Sequence, residues 1–160
     1  MPLRPSLVLL AVLLAAPAIA PASAAEPSLV VRDAWVRATP GAAAVSSHAA
    51  SRGGHDAGAT AAYLTLENRG DRADRLVSVA SPVAGRAELH ESRVENGIMR
   101  MRPVEGIAVP AGGSVRLEPG GLHVMLMGLH EPIAEGRRVP LTLTFESGAT
   151  LAVDAEVRSR

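Results

Sequence analysis

Asn96-Gly97 stands between two runs of strand-forming residues, and this dipeptide constrains the fold more than any other feature of the chain. A two-residue type I′ turn needs positive φ at both central positions, which Asn and Gly tolerate, so the pair marks a tight β-hairpin. With these two residues as the loop, Glu95 pairs with Ile98, Val94 with Met99, Ser92 with Met101 and His90 with Pro103. Directly opposed residues of an antiparallel pair point to the same face, so His90, Met99 and Met101 are predicted to share one. His90 and Met101 become diagonal neighbours, roughly 7–8 Å apart at the backbone and within reach of long side chains.

The rest of the chain is punctuated in the same way. Leu29 to Arg37 alternates Leu29, Val31, Asp33 and Trp35 against Val30, Arg32, Ala34 and Val36, as a strand would. Further strand-like runs are Ala61 to Glu67, Leu76 to Ala80, Ile107 to Pro110, Ser114 to Leu117, Val139 to Glu146 and Ala149 to Val157. Between them lie turn signals at Asn68–Asp71, Ser81-Pro82, Ala111–Gly113, Pro119–Gly121 and Ser147-Gly148. Short strands at this spacing predict an all-β sandwich or barrel. No amphipathic helix of useful length is apparent, and a short helical turn near Pro132–Gly136 is the one helical feature the pattern allows. Residues 39–58 are rich in Ala, Ser and Gly, hold no sustained period and read as a long flexible loop carrying His48 and His55.

At 160 residues the chain has room for one domain with a real core. Its formal charge of zero gives no reason to expect nucleic acid, and 2% aromatic residues are a poor supply for base-stacking or sugar-binding surfaces. Residues 1–25 are expected to be a secretory signal peptide: Arg4 gives a positive start, Leu7 to Ala16 an unbroken apolar run, and Ala22-Ser23-Ala24 a cleavage pattern. Residues 26–160 would then form a soluble exported domain in the periplasm, with no membrane span after cleavage, read as a monomer. The sequence contains no cysteine. That removes a lipid attachment site, and with it blue-copper electron carriers, Cys-x-x-Cys metallochaperones and thiol oxidoreductases, all of which need the thiol.

The methionines and histidines carry the chemistry. In His123-Val124-Met125-Leu126-Met127 the two-residue period puts His123, Met125 and Met127 on one face, so two strand segments each offer a His/Met pair. Thioether sulfur is soft and suits Cu(I), while imidazole serves several metals, so a mixed set points to copper ahead of zinc or iron. Thioethers also hold Cu(I) without the disulfide chemistry that threatens thiols in an oxidising compartment. The ordinary alternative is that Met99, Met101, Met125 and Met127 are packing on half-buried strands. His48 and His55 could supply a weaker second site for Cu(II), or simply be solvated. His130 follows Gly128 and reads as a loop residue. No Ser/His/Asp order, phosphate loop or His-Glu-x-x-His zinc motif is present.

His90, ten residues, Met101, twenty-one residues, His123, one residue and Met125 make a spacing that resembles the H-x10-M-x21-H-x-M signature of the periplasmic CuA chaperone family, PCuAC. The flanking text is similar too: Trp35 and Arg37 near the start, AAYLTLENRG around Tyr63 and Asn68, DRLVSVASPVAGRAELHE before His90, and VPAGGSVRLEPGGLHVMLMGL through Met125. The long 39–58 segment departs from the shorter connection expected in that family. The resemblance implies a cupredoxin-like Greek-key β-sandwich that binds Cu(I) through His90, Met101, His123 and Met125; Met99 and Met127 lie outside the signature and are read as neighbours that shield or hand on the ion. It implies a chaperone and not an enzyme. The expected partners are a copper-accepting respiratory oxidase subunit, at the CuA site of cytochrome c oxidase, and a thiol-containing copper chaperone. Acid should weaken such a complex, because imidazole must be neutral to bind. Two rivals come from other classes: a metal-free β-sandwich that binds proteins, and a copper-dependent redox enzyme.

Overall fold

The computed structural model describes residues 28–39 and 58–159. The expected leader, and nearly all of the 39–58 segment with His48 and His55, lie outside the described residues. The described residues form ten strands: β1 Leu29–Arg37, β2 Ala59–Asn68, β3 Asp74–Ala80, β4 Ala84–Glu95, β5 Ile98–Pro103, β6 Ile107–Val109, β7 Ser114–Leu117, β8 Leu122–Leu129, β9 Arg138–Phe145 and β10 Thr150–Arg158. No helix occurs among the described residues; the segment at Pro132–Gly136 makes only a turn, with Gly136 at φ 83°.

Alternation writes most of these strands. In β9, Val139, Leu141, Leu143 and Phe145 are buried while Arg138, Pro140 and Thr142 face outward. In β8, Val124 and Leu126 are fully buried, and in β2 Ala62, Leu64 and Leu66 join them in one core. That core also takes Val36, Leu76, Leu89, Val109, Leu117, Ile133 and Val157.

Hydrogen bonding runs β5-β4-β8-β2-β1-β10-β9-β3-β6, with β7 also paired to β2. The path folds over the core as a β-sandwich. Its neighbours are mostly distant in sequence, as Greek-key connections require. β1 and β10 run parallel, and the other pairs are antiparallel. At Ser81–Val83 the chain leaves the β9-β3-β6 layer and enters the layer of β4. β8 and β7 share one edge of β2, β8 along Ala59–Ala62 and β7 along Leu64–Glu67.

The hairpin takes the register expected from Asn96-Gly97. Both residues have positive φ, 54° and 78°, and Glu95 faces Ile98, Val94 faces Met99, Ser92 faces Met101 and His90 faces Pro103. β1 departs from plain alternation. Asp33 has φ 51° and the register against β2 shifts between Arg32 and Trp35, a β-bulge. Before it Leu29 and Val31 pack inward; after it Ala34 and Val36 do. The bulge therefore turns Trp35 to the outer face, where its ring lies 4.5 Å from that of Tyr63.

Asp74, at the start of β3, ties the β9–β10 turn to the sheet. It accepts from its neighbour's amide, Arg75 N–H, and from the Ser147 N–H and hydroxyl. Burial pushes its carboxyl up, but the Ser147 hydroxyl and the two amides outweigh that, and its pKa ends below the ordinary value. A native pKa below the unfolded one adds stability above the unfolded value, about 3.9, which is lost as pH falls through the native value. Asp74→Ala should cost about 1–2 kcal/mol at pH 7. Urea unfolding at pH 7 and pH 3 should show the gap to wild type narrowing in acid.

Candidate metal centre

The centre depends on which strand lies beside β4. β5 pairs along one edge, through the hairpin, and β8 along the other, antiparallel, with His90 opposite His123, Glu88 opposite Met125 and Arg86 opposite Met127. Opposed residues share a face, so His90, Ser92 and Glu88 stand with Met101 and Met99 on one side and His123 and Met125 on the other. The next strand, β2, sets Ala61 opposite Met125 and Ala59 opposite Met127. These small side chains leave a cleft of about 370 Å³ whose lining includes Met99, Met101, His123, Met125, Ser92 and Tyr63. His90 sits beside it, its ring centre 5.9 Å from that of His123.

Each imidazole is held at one nitrogen and bare at the other. His90 Nε2 lies 3.0 Å from a Glu88 carboxylate oxygen, and His123 Nδ1 lies 3.0 Å from the Gly121 carbonyl oxygen. Both partners are acceptors, so His90 carries its proton on Nε2 and His123 on Nδ1. The opposite atoms, His90 Nδ1 and His123 Nε2, are buried and have no hydrogen-bond partner among the described residues. A buried polar atom without a partner typically costs about 1–3 kcal/mol, and the exceptions call for an explanation. A metal ion would supply one. With metal–imidazole bonds of about 2.0 Å, two rings on one ion can lie up to about 6 Å apart between centres, and the observed 5.9 Å fits.

Glu88 is pulled below the ordinary carboxylate range first by its hydrogen bond to His90, with Arg86 adding to this and burial opposing it. Arg86 lies 3.1 Å from the second carboxylate oxygen. Among the described residues no three His, Cys, Asp or Glu side chains are grouped to hold an ion. Any ion at the two bare nitrogens would therefore draw further ligands from the thioethers, which are soft donors.

The structure brings His90, Met101, His123 and Met125 to one place and separates the two neighbouring methionines. Met99 lines the cleft with Met101, and both are more than half exposed. Met127 faces Arg86, whose guanidinium donates to its sulfur at 3.6 Å. His130 lies beyond β8, exposed, with its backbone N–H bonded to Val83 O. Sequence reasoning did not single out Glu88, the Gly121 carbonyl or the ring stack of Trp35, Tyr63 and His123, in which Tyr63 lies 6.3 Å from His123. Glu88 was within reach of the two-residue period, since it stands two positions before His90 on the same face.

Fold and cluster define a class: a cupredoxin-like β-sandwich with a group of His and Met side chains on the outer face of its sheet. A family model described as "Putative lipoprotein LpqE-like" matches residues 29–157, and the chain belongs to that family. The "Putative lipoprotein Lxx21020" of Leifsonia xyli subsp. xyli is 34% identical over 144 residues, covering 86% of this chain and 77% of the relative. Among solved structures, CuI-DR1885 from Deinococcus radiodurans is 34% identical with a TM-score of 0.57, covering 86% of this chain and 83% of that one. The copper-bound PCuAC domain from PmoF2 has a TM-score of 0.60 at 22% identity, covering 83% and 94%, and shows the shared fold. The kinship with PCuAC proteins expected from the His/Met spacing is thereby borne out.

If the exposed methionine is kept for ligation and not for packing, its replacement should leave the metal-free fold nearly untouched. Met101→Leu should shift metal-free stability by less than about 0.5 kcal/mol. Leu126→Ala, in the core behind the site, should cost about 2–5 kcal/mol. Urea unfolding of both variants measures the contrast.

Proposed function

We propose that the protein is an exported Cu(I) chaperone, with residues 1–25 as its secretory leader, that carries copper to a respiratory oxidase. The observation that carries this reading is the pair of buried, unpartnered nitrogens on His90 and His123, set between Met101 and Met125. Copper is the cargo. Two thioethers and two neutral imidazoles form a soft set that favours Cu(I) over harder divalent ions. With no cysteine in the chain, the donor set survives an oxidising compartment. The Cu(I)-bound Deinococcus relative supports the choice of metal.

Release is favoured by the uneven burial of the donors. His123 is 3% exposed, whereas Met101 is 52% exposed. An acceptor's ligands can displace the Met101 sulfur first, while the histidines still hold the ion. Stepwise exchange of this kind suits delivery, and strong preference for Cu(I) does not suit redox turnover. The family kinship favours the CuA centre of cytochrome c oxidase as destination, with a thiol-containing chaperone acting beside it.

The test is a Cu(I) competition titration against a chromophoric chelator, with the His90→Ala/Met101→Leu double variant alongside. One tightly held equivalent in wild type, weakened at least a hundredfold in the variant, is expected. Absence of binding in wild type would favour a metal-free protein-binding module, and multiple turnovers on a defined substrate would favour a redox enzyme.

A further inference from the structure

Arg86, Glu88 and His90 project from the same face of β4 at successive two-residue steps, and their contacts form a chain. The Met127 sulfur accepts from Arg86, Arg86 pairs with one oxygen of Glu88, and the other oxygen accepts from His90 Nε2. Met127 is engaged at the start of this chain, away from the cleft-lining sulfurs of Met99, Met101 and Met125. His90 Nδ1 is buried and meets no hydrogen-bond partner among the described residues.

We propose that Glu88 is a positioning residue of the centre: its carboxylate fixes the proton of His90 on Nε2 and the ring in one orientation, so that Nδ1 is the atom offered to the cargo. This inference rests on reading His90 as a ligand. A neutral imidazole can carry its proton on either nitrogen, and rotation of the ring exchanges the places of Nδ1 and a carbon. Either change would remove the lone pair from the site. A carboxylate on the far nitrogen prevents both and raises the basicity of the ligating one. His123 needs no such side chain, because the Gly121 carbonyl performs the same task from the backbone. The two histidines thus bind through different atoms, Nδ1 of His90 and Nε2 of His123. Arg86 keeps Glu88 aimed, which gives Met127 a part as a prop for Arg86 and not as a donor.

The test uses Glu88→Ala and Glu88→Gln, both at a side chain that is partly exposed and outside the core. Long-range proton–nitrogen NMR spectra of the metal-free protein at pH 8 report the state of each ring. Wild type should show one His90 state protonated at Nε2. Glu88→Gln should keep it, since the amide oxygen can still accept, while Glu88→Ala should give shifts averaged between states for His90 and leave His123 unchanged. Cu(I) affinity should fall about tenfold or more in Glu88→Ala and be largely restored in Glu88→Gln. A single unaltered His90 state in Glu88→Ala, or wild-type affinity in that variant, would overturn the proposal. If wild type bound no Cu(I), the chaperone reading would fall, whereas the NMR result on the metal-free protein would still decide whether Glu88 holds the ring.

Discussion

The pairing of β4 with β8 is the constraint on which the rest of the structure depends. It places His90 opposite His123 and turns both to the outer face of the sheet, while Leu89, Val124 and Leu126 on the inner face enter the core. The same backbone ladder that satisfies the amides of two central strands therefore fixes the separation of two imidazoles. Neither residue chooses its place for its own sake. A slip of one residue in either strand would carry the histidines into the core and the leucines out, so the apolar face enforces the register that the polar face uses.

Around that pair the donors are graded. The imidazoles are buried and braced, one by Glu88 and one by the Gly121 carbonyl, and the sulfur of Met101 lies on the exposed hairpin. The outer face is built for this gradation: Ala59 and Ala61 are small enough to leave the cleft, and Tyr63 lines it on the side of β2. Two buried nitrogens without partners are a local energetic cost that a ligand-free sheet would not need. Such costs persist where the surrounding core over-determines the geometry, and they mark sites of function more often than errors of packing.

Much of this was legible in the chain. Asn96-Gly97 specified the hairpin and its register, because positive φ at two adjacent positions admits few residues and one turn type. The two-residue period put His123 with Met125, and His90 with Met99 and Met101, on common faces. The strands at Leu29–Arg37 and Ser114–Leu117 followed from alternation and turn residues, and the one read as Val139–Glu146 lies within a residue of β9 at each end. Where local pattern failed, a tertiary cause is visible. Alternation in β1 breaks at the Asp33 bulge, which no periodicity announces and which turns Trp35 outward beside Tyr63. The Pro132–Gly136 segment closes a single turn, Arg137 N–H to Ala134 O, and is tied down by residues far away in sequence: Thr39 exchanges hydrogen bonds with Ile133, and Gly136 N–H donates to Val157 O.

The sequence by itself determined the all-β class, the hairpin register and two His/Met pairs, since each depends on conformational preferences of residues close together in the chain. Only the tertiary structure decided that the two pairs meet, that Glu88 holds His90, and that Met99 joins the cleft while Met127 turns to Arg86. Those facts depend on β8 lying between β4 and β2, an order set by how the whole apolar surface is buried and not by any local signal.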